Sequence, residues 1–180
     1  MRRPARIVLD INVWVASLLS RASGRSRSAT QDLVRFALTG QAPAQPLRLV
    51  ISEYMLATLG QVLFRRLIRA AEVDLLIDSI RLAAEVQVTL GAGVLALPDG
   101  EDARVLETAL AGEAHYLVTA DINDFGESKD ARRWPGGVLC IPRPSQPLVI
   151  ITPATAMAVF TRNTTYRAWE RRRLAETWVG

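Results

Sequence analysis

Short apolar runs alternate with helix-length segments along this chain of 180 residues. The runs predict strands at 6–10, 47–51, 93–97, 115–119 and 148–151. Apolar residues at helical spacing predict helices at 13–19, 30–39, 52–68, 72–90, 101–111 and from Pro153 onward. Strands separated by helices are typical of a parallel sheet with helices on both faces. We therefore predict a three-layer α/β/α fold around a central parallel sheet, with an irregular insertion at 126–147.

A single cysteine, Cys140, and a single histidine, His115, exclude several kinds of site. One cysteine cannot form an intramolecular disulfide or a multi-cysteine metal site, and it suits a reducing compartment. One histidine excludes a ribonuclease that works through a histidine pair, and a zinc site built on several imidazoles. We expect Cys140 to be a small core residue and His115 to be packed or hydrogen-bonded.

The first residues place arginines ahead of an apolar run, as a signal peptide would. Asp10 and Asn12 interrupt that run, and no small-residue cleavage site follows it. No apolar run reaches the roughly 18 residues that a membrane span needs. We predict a cytoplasmic protein without a membrane partner.

Basic residues give the chain a net charge of +4, and Lys129 is the only lysine among them. Composition bias explains much of the arginine excess, but a positive chain still favours polyanions, and the arginine fork can grip two phosphate oxygens. The predicted loop at 20–28 carries Arg21, Arg25 and Arg27. We predict that these three arginines contact the substrate.

Four segments bring carboxylates and polar side chains to the ends of predicted strands or to the start of a helix. They contribute Asp10 with Asn12, Ser52 with Glu53, Asp102, and Thr119 with Asp121 and Asp124. In an open parallel sheet, sites form at the carboxyl ends of the strands. We therefore expect these side chains to share one edge of the sheet.

Carboxylates that converge on one spot repel one another unless a cation compensates them. Oxygen ligands without His or Cys suit Mg²⁺ or Mn²⁺. Such ions can activate a water and stabilise a leaving oxygen at phosphorus, so the implied chemistry is phosphodiester hydrolysis. The alternative is that these acids are helix caps and turn formers, which are ordinary roles for Asp.

Three strings of the sequence carry a family resemblance. They resemble, in this order, the opening, the second half and the close of PIN domains: VLDINVWVASLL, DARVLETALAGEAHYLVTADINDF and IITPATAMAVF. Among PIN domains, the resemblance is to the VapC-like toxins of toxin–antitoxin pairs. The resemblance covers 6–160. It implies a PIN-like domain at 1–160, followed by a basic C-terminal extension at 161–180.

The resemblance also implies a site. The metal-binding acids of the family fall, by position, on Asp10, Asp102 and the pair Asp121 and Asp124. Asn12 and Thr119 fall on supporting positions, and Ser52 is a further supporting candidate. The implied activity is that of a metal-dependent endoribonuclease acting on single-stranded or looped RNA. The implied partners are an antitoxin, which would block the acids with an Arg or Lys, and a second copy of the chain.

One position departs from the family pattern. Where the family places a Glu in the second turn of the helix after strand two, this chain has Thr58. Glu53, Glu101 and Glu107 are possible substitutes, and we include Glu53 among the predicted metal ligands. If none substitutes, the chain is a weak or inactive module that binds RNA or a protein. A phosphatase or receiver-type domain would need a second acid at position 12 or a Lys after a late strand, and this chain has neither.

Overall fold

The computed structural model of the protein describes residues 3–24, 28–66, 69–90, 100–126, 128, 131–134 and 138–161. Seven strands run β1 Ala5–Leu9, β2 Leu47–Ser52, β3 Ala84–Val88, β4 Tyr116–Val118, β5 Arg132–Trp134, β6 Val138–Ile141 and β7 Leu148–Ile151. Six helices run α1 Ile11–Ala22, α2 Ala29–Thr39, α3 Glu53–Arg65, α4 Ala70–Ala83, α5 Gly100–Ala111 and α6 Pro153–Phe160. A short 3-10 turn spans Asn123–Phe125.

The strands form one mixed sheet in the order β3-β2-β1-β4-β7-β6-β5. The first five strands in this order are mutually parallel, and β6 runs antiparallel to both β5 and β7. The predicted α/β/α class is therefore confirmed. The sheet grows outward in both directions from β1 and β4, so its topological switch point lies between these two strands, where ligands of open α/β sheets commonly bind.

Local signals in the sequence fix several of the helix ends. The Ser28 hydroxyl accepts a hydrogen bond from the backbone N–H of Gln31, and the Gln31 side chain accepts one from the backbone N–H of Ser28. This reciprocal pair is a capping box at the start of α2. Gly40 ends that helix with a left-handed φ of 67°. The Ser52 hydroxyl caps α3 by accepting from the backbone N–H of Met55, and it also pairs with Thr108 on α5.

Two parts of the predicted secondary structure are wrong. The helix predicted at 72–90 ends at Ala83, and residues 84–88 form β3 instead, because the alternating AEVQV pattern places Val86 and Val88 on one side and pairs with β2. The insertion predicted as irregular at 126–147 contains the β5–β6 hairpin. The four apolar residues of β6 are buried, and Cys140 lies among them as expected.

Other predictions fall outside the described residues. These are the strand at 93–97, the side chains of Arg25 and Arg27, and the extension from residue 162 onward. Among the described helices, none combines the length and the apolar character that crossing a membrane requires.

Gly112 lies where α5 turns back towards β4 and packs closely on the sheet. A Cβ at this position would overlap the side chain of Val50 and approach that of Val88 to 3.2 Å. We expect Gly112→Ala to lower the free energy of unfolding by about 1–3 kcal/mol, as overpacked cores do. Gly60→Ala is the matched control, because a Cβ there meets nothing within 4 Å and an alanine favours the α3 helix. Urea unfolding of both variants checks this; equal stability of the two would contradict it.

Candidate active site

Asp10 is the first residue after β1 and lies at the switch point of the sheet. Its backbone N–H donates to the carbonyl of Val118 on β4 (2.9 Å), and its side chain is only 5% exposed. The carboxylate caps α1 by accepting from the backbone N–H of Ile11 (2.6 Å). The indole N–H of Trp14 donates to the carbonyl of Leu9 (3.0 Å), which holds the end of β1 against the first turn of the helix.

Thr119, directly after β4, links three other polar residues of the site. Its hydroxyl donates to Asp10 Oδ2 at 2.7 Å. The same oxygen accepts from the side-chain amide of Asn12 (3.2 Å) and from the backbone N–H of Asp121 (3.1 Å). Asn12 also accepts from the backbone N–H of Ala120 (3.1 Å). Asp10, Asn12 and Thr119 therefore lie together, as the sequence predicted.

Asp10 lines a pocket of about 480 Å³ with three further carboxylates, those of Glu101, Asp102 and Asp124. Glu101 and Asp102 lie in the first turn of α5, and Asp124 lies in the 3-10 turn after β4. Three separate segments of the chain thus bring acids to one opening at the carboxyl edge of the sheet. We call these four residues the acidic cluster.

Burial of Asp10 raises the pKa of its carboxyl from 3.8 to about 6. The hydrogen bonds from Thr119 and from the backbone N–H of Ile11 oppose this rise in pKa, and the charges of Glu101 and Asp124 add to it. Without a cation, Asp10 therefore holds its proton up to about pH 6, well above the range of an ordinary carboxyl. Perturbed acids of this kind concentrate at functional sites.

The two acids predicted as a pair after β4 have different surroundings. Asp124 lines the pocket and Asp121 does not; the Oδ1 of Asp121 instead accepts from the backbone N–H of Asn123 (3.2 Å), forming the turn that leads to Asp124. Asp121 thus takes the role of turn former that the sequence left open as the alternative. Its backbone nevertheless stays attached to Thr119.

Glu53 is not brought to the acidic cluster. It is exposed at the start of α3 and forms an ion pair with Arg81 on α4 at 3.2 Å, beside a different pocket. Glu107, another substitute considered above, pairs with Arg104 at 3.0 Å. Glu101 is the one considered substitute that lines the pocket of Asp10.

Thr58 occupies the face of α3 that borders the pocket. Val62 and Arg66 line the pocket, and Thr58 precedes them by one and two helical turns on the same side of the helix. Thr58 therefore lies on the pocket side of α3 and places a neutral side chain there. Sequence reasoning missed Arg66, because nothing local indicates which side of α3 borders the acids.

Of the arginines predicted to contact a substrate, only Arg21 is described. Its side chain lines a separate pocket between α1 and α2, together with Arg35 and Leu38, and not the pocket of the acidic cluster. His115 has the structural role expected of it, because its Nδ1 accepts from the backbone N–H of Arg6 (3.0 Å). Burial lowers the pKa of His115, which favours the neutral ring that this bond requires.

The donor set of the pocket fits a hard divalent cation, since it consists of carboxylates and lacks nitrogen and sulfur ligands. The raised pKa of Asp10 is the second sign of fit, because a bound cation would stabilise a carboxylate that is buried and also faces the charges of Glu101 and Asp124. As the side chains are placed, no three acids, histidines or cysteines of the described ranges stand close enough together to hold a metal. Binding would therefore draw the acids together.

A family model described as PIN domain matches residues 6–123, which is more than half of the chain. Neither the curated proteins nor the solved structures gave a match. The matched segment includes β1 to β4 and three members of the acidic cluster, Asp10, Glu101 and Asp102. Proteins with this domain are generally nucleases that need a divalent metal ion. The chain therefore belongs to the PIN-domain family.

Proposed function

We propose that this protein is an endoribonuclease that hydrolyses RNA phosphodiester bonds with Mg²⁺ or Mn²⁺. The observation that carries the proposal is the burial of Asp10, with its raised pKa, in a pocket that it shares with Glu101, Asp102 and Asp124. Membership of the PIN-domain family supports nuclease chemistry at the level of the family. The choice of RNA rests on the resemblance to VapC-like proteins.

Each residue of the site has a role in this proposal. The acidic cluster would hold the cation, with Glu101 in place of the acid that Thr58 lacks. Thr119 and Asn12 orient the carboxylate of Asp10, and the turn formed by Asp121 positions Asp124. A bound divalent ion would supply the Lewis acidity that activates a water and stabilises the leaving oxygen. Side chains that hold the cation in this way need no separate general base.

The proposed substrate is single-stranded or looped RNA, because a cluster at the open edge of a sheet can reach a splayed backbone but not the deep groove of an RNA helix. The net charge of +4 favours such a partner. RNA binding should weaken steeply with salt. The logarithm of the association constant should fall against the logarithm of the salt concentration with a slope near −0.7 for each phosphate that an arginine contacts. Filter binding between low and physiological salt measures this slope, and a flat profile would exclude RNA as the partner.

We further propose that the protein is the toxin of a toxin–antitoxin pair in the cytoplasm. The antitoxin would block the acidic cluster with an inserted Arg or Lys, because a cationic side chain can replace the metal there. A homodimer would bury the apolar residues that α3 and α4 leave exposed, Phe64, Leu75 and Leu82. Light scattering on the wild type and on Leu82→Glu tests the dimer, since a charge in that interface should yield monomers.

A second candidate function is an inactive PIN module that binds RNA or a protein. Thr58 favours it, because this position lies one helical turn before Val62 on the side of α3 that lines the pocket and supplies no charge. Cleavage of mixed-sequence RNA by the purified wild type, with Mn²⁺ and with chelator, separates the two candidates. Metal-dependent cleavage supports the nuclease, whereas intact RNA together with no Mn²⁺ heat in calorimetry supports the inactive module.

We expect Thr58→Glu to tighten Mn²⁺ binding and to raise cleavage. A carboxylate would stand at the family's ligand position on the pocket side of α3, and opposite charges a few ångströms apart in a partly screened site are worth about 1–4 kcal/mol. Thr58→Gln is the matched control, since it adds the length of the side chain without its charge. Weaker or unchanged Mn²⁺ binding in Thr58→Glu would mean that Glu101 already fills the role.

A further inference from the structure

The pocket that holds the acidic cluster also has an apolar side. Val15, Ala16 and Leu19 of α1 and Val62 of α3 line it together with the acids. The three α1 residues fall on the helix face of Asn12, at spacings of three, four and seven residues. Leu19 is 43% exposed, so its side chain offers apolar surface to the pocket. We call these four residues the apolar shelf.

Arg66 closes the same pocket from the end of α3. Its side chain is exposed, and within the described ranges it forms no ion pair, although four carboxylates line the pocket with it. An arginine serving only to neutralise those acids would be expected to pair with one of them. The guanidinium of Arg66 is therefore available to an anion that enters the pocket.

The combination of features fits one occupant best. A cation alone needs only the carboxylates, and the pocket of about 480 Å³ lies within the 300–1,000 Å³ of small-ligand sites. A nucleobase has flat apolar faces for the shelf, and its phosphate carries the charge that Arg66 can bind. A basic side chain inserted by a protein would pair with the acids but would leave the apolar shelf and Arg66 without a partner.

We propose that the apolar shelf and Arg66 form a nucleotide subsite, in which an unpaired base beside the scissile phosphate lies on Leu19 and Val62, and a neighbouring phosphate contacts Arg66. This inference rests on the proposed ribonuclease function and adds to it the residues that would contact the unpaired base and the neighbouring phosphate. The shelf would tolerate any base, because each base offers an apolar face. Arg66 would set the register of the strand.

Binding to uncleaved RNA tests the subsite separately from catalysis. The full chain carrying Asp10→Asn is titrated, with Ca²⁺ present, with a fluorescent single-stranded oligouridine and with copies that lack the base at one position each. Adding Leu19→Ser should weaken binding of the intact strand about tenfold, and the loss should vanish for the copy that lacks the base at the shelf. Leu19→Met should bind normally, because it restores the apolar contact.

Arg66→Gln, in the same background, should weaken binding of every strand and lower the magnitude of the salt slope by about 0.7. Arg35→Gln is the control for loss of an arginine, since Arg35 is exposed, pairs with Asp32 and lies outside the pocket. It should not change binding. Circular dichroism and melting of all variants show that they are folded.

The outcomes separate the two levels of the proposal. If the wild type cleaves RNA but Leu19→Ser and Arg66→Gln bind like their controls, the subsite is wrong and the ribonuclease stands. Equal losses on all base-lacking copies would also overturn the base contact. If the wild type neither binds nor cleaves RNA, the proposed function fails and the subsite with it.

Discussion

Asp10→Asn is expected to abolish metal-dependent RNA cleavage and, at pH 7 without metal, to make the protein more stable. Asn keeps the shape and can still accept from the backbone N–H of Ile11, but it carries no charge towards a cation. The new amide nitrogen cannot accept from the Thr119 hydroxyl, which then donates to the carbonyl of Asp121, 3.3 Å away. Loss of activity with a gain in stability is typical of a functional group held in an unfavourable environment.

The pH dependence of this effect follows from the pKa of Asp10, which is about 6 in the folded protein against 3.8 for an unperturbed group. The folded state holds the proton more tightly, so this stabilising contribution is complete below pH 3.8 and is lost as the pH rises through 6. By pH 7 the loss amounts to roughly 3 kcal/mol as an upper value. The variant should therefore exceed the wild type in stability at pH 7 and match it near pH 4.

Chemical unfolding of both proteins in chelator, at pH 4 and at pH 7, measures this difference. Asp78→Asn is the matched control, because Asp78 is an exposed acid on α4 that pairs with Arg81 and does not line the pocket of the acidic cluster. It should keep wild-type cleavage and show no gain in stability. Wild-type cleavage by Asp10→Asn would refute the assignment of Asp10 to the site. An Asp10→Asn protein less stable than the wild type at pH 7 would refute the claim that the ionised carboxyl of Asp10 destabilises the folded state.

Thr119→Val should have the second-largest effect, because it removes the hydroxyl that joins Asp10, Asn12 and Asp121. Hydrogen bonds to charged groups contribute about 1.5–3 kcal/mol, so a loss of roughly 2–3 kcal/mol in the free energy of unfolding is expected at pH 7. Cleavage should fall about 10–100-fold, as when a partner that orients a metal ligand is lost. The pKa of Asp10 should rise above 6, since the hydroxyl lowers it.

Thr119→Ser is the control, since it keeps the hydroxyl and loses only a methyl group. Carbon-13 NMR of the Asp10 carboxyl reports the pKa of each variant directly. The pKa of Asp10 should be higher in Thr119→Val than in Thr119→Ser and in the wild type. An unchanged pKa in Thr119→Val would mean that the hydroxyl does not act on Asp10 in solution.

The central sheet could be predicted from the sequence, because buried parallel strands such as β1 and β7 read as continuous apolar runs. The strands towards the edges of the sheet, β3, β5 and β6, could not be predicted. In β3 the alternation of apolar and polar residues continues directly from the apolar pattern of α4, so the boundary at Ala84 carries no turn signal. The hairpin of β5 and β6 lies between segments rich in Gly and Pro, and β5 is only three residues long.

The part of the site at the switch point was also predictable, because the carboxyl ends of β1 and β4 are neighbours in any sheet of this order. Asp10, Asn12 and Thr119 follow from that rule alone. The turn at Asn123 decides which acid of the loop after β4 enters the pocket. The packing of α3 against α1 decides that Arg66 and Leu19 line it. Such details come from packing between helices, which local sequence does not encode.

Calorimetric titration of the metal-free protein with Mn²⁺ tests the central claim most directly, when it is run at pH 6 and pH 8 in two buffers of different ionisation heat. Because Asp10 holds a proton near pH 6 and must lose it to bind a cation, the account predicts binding with proton release at pH 6 and with little release at pH 8. Asp10→Asn should show neither the proton release nor the wild-type affinity. Absence of Mn²⁺ binding by the wild type at both pH values, or equal binding by Asp10→Asn, would contradict the claim that this acidic cluster is a metal-dependent nuclease site.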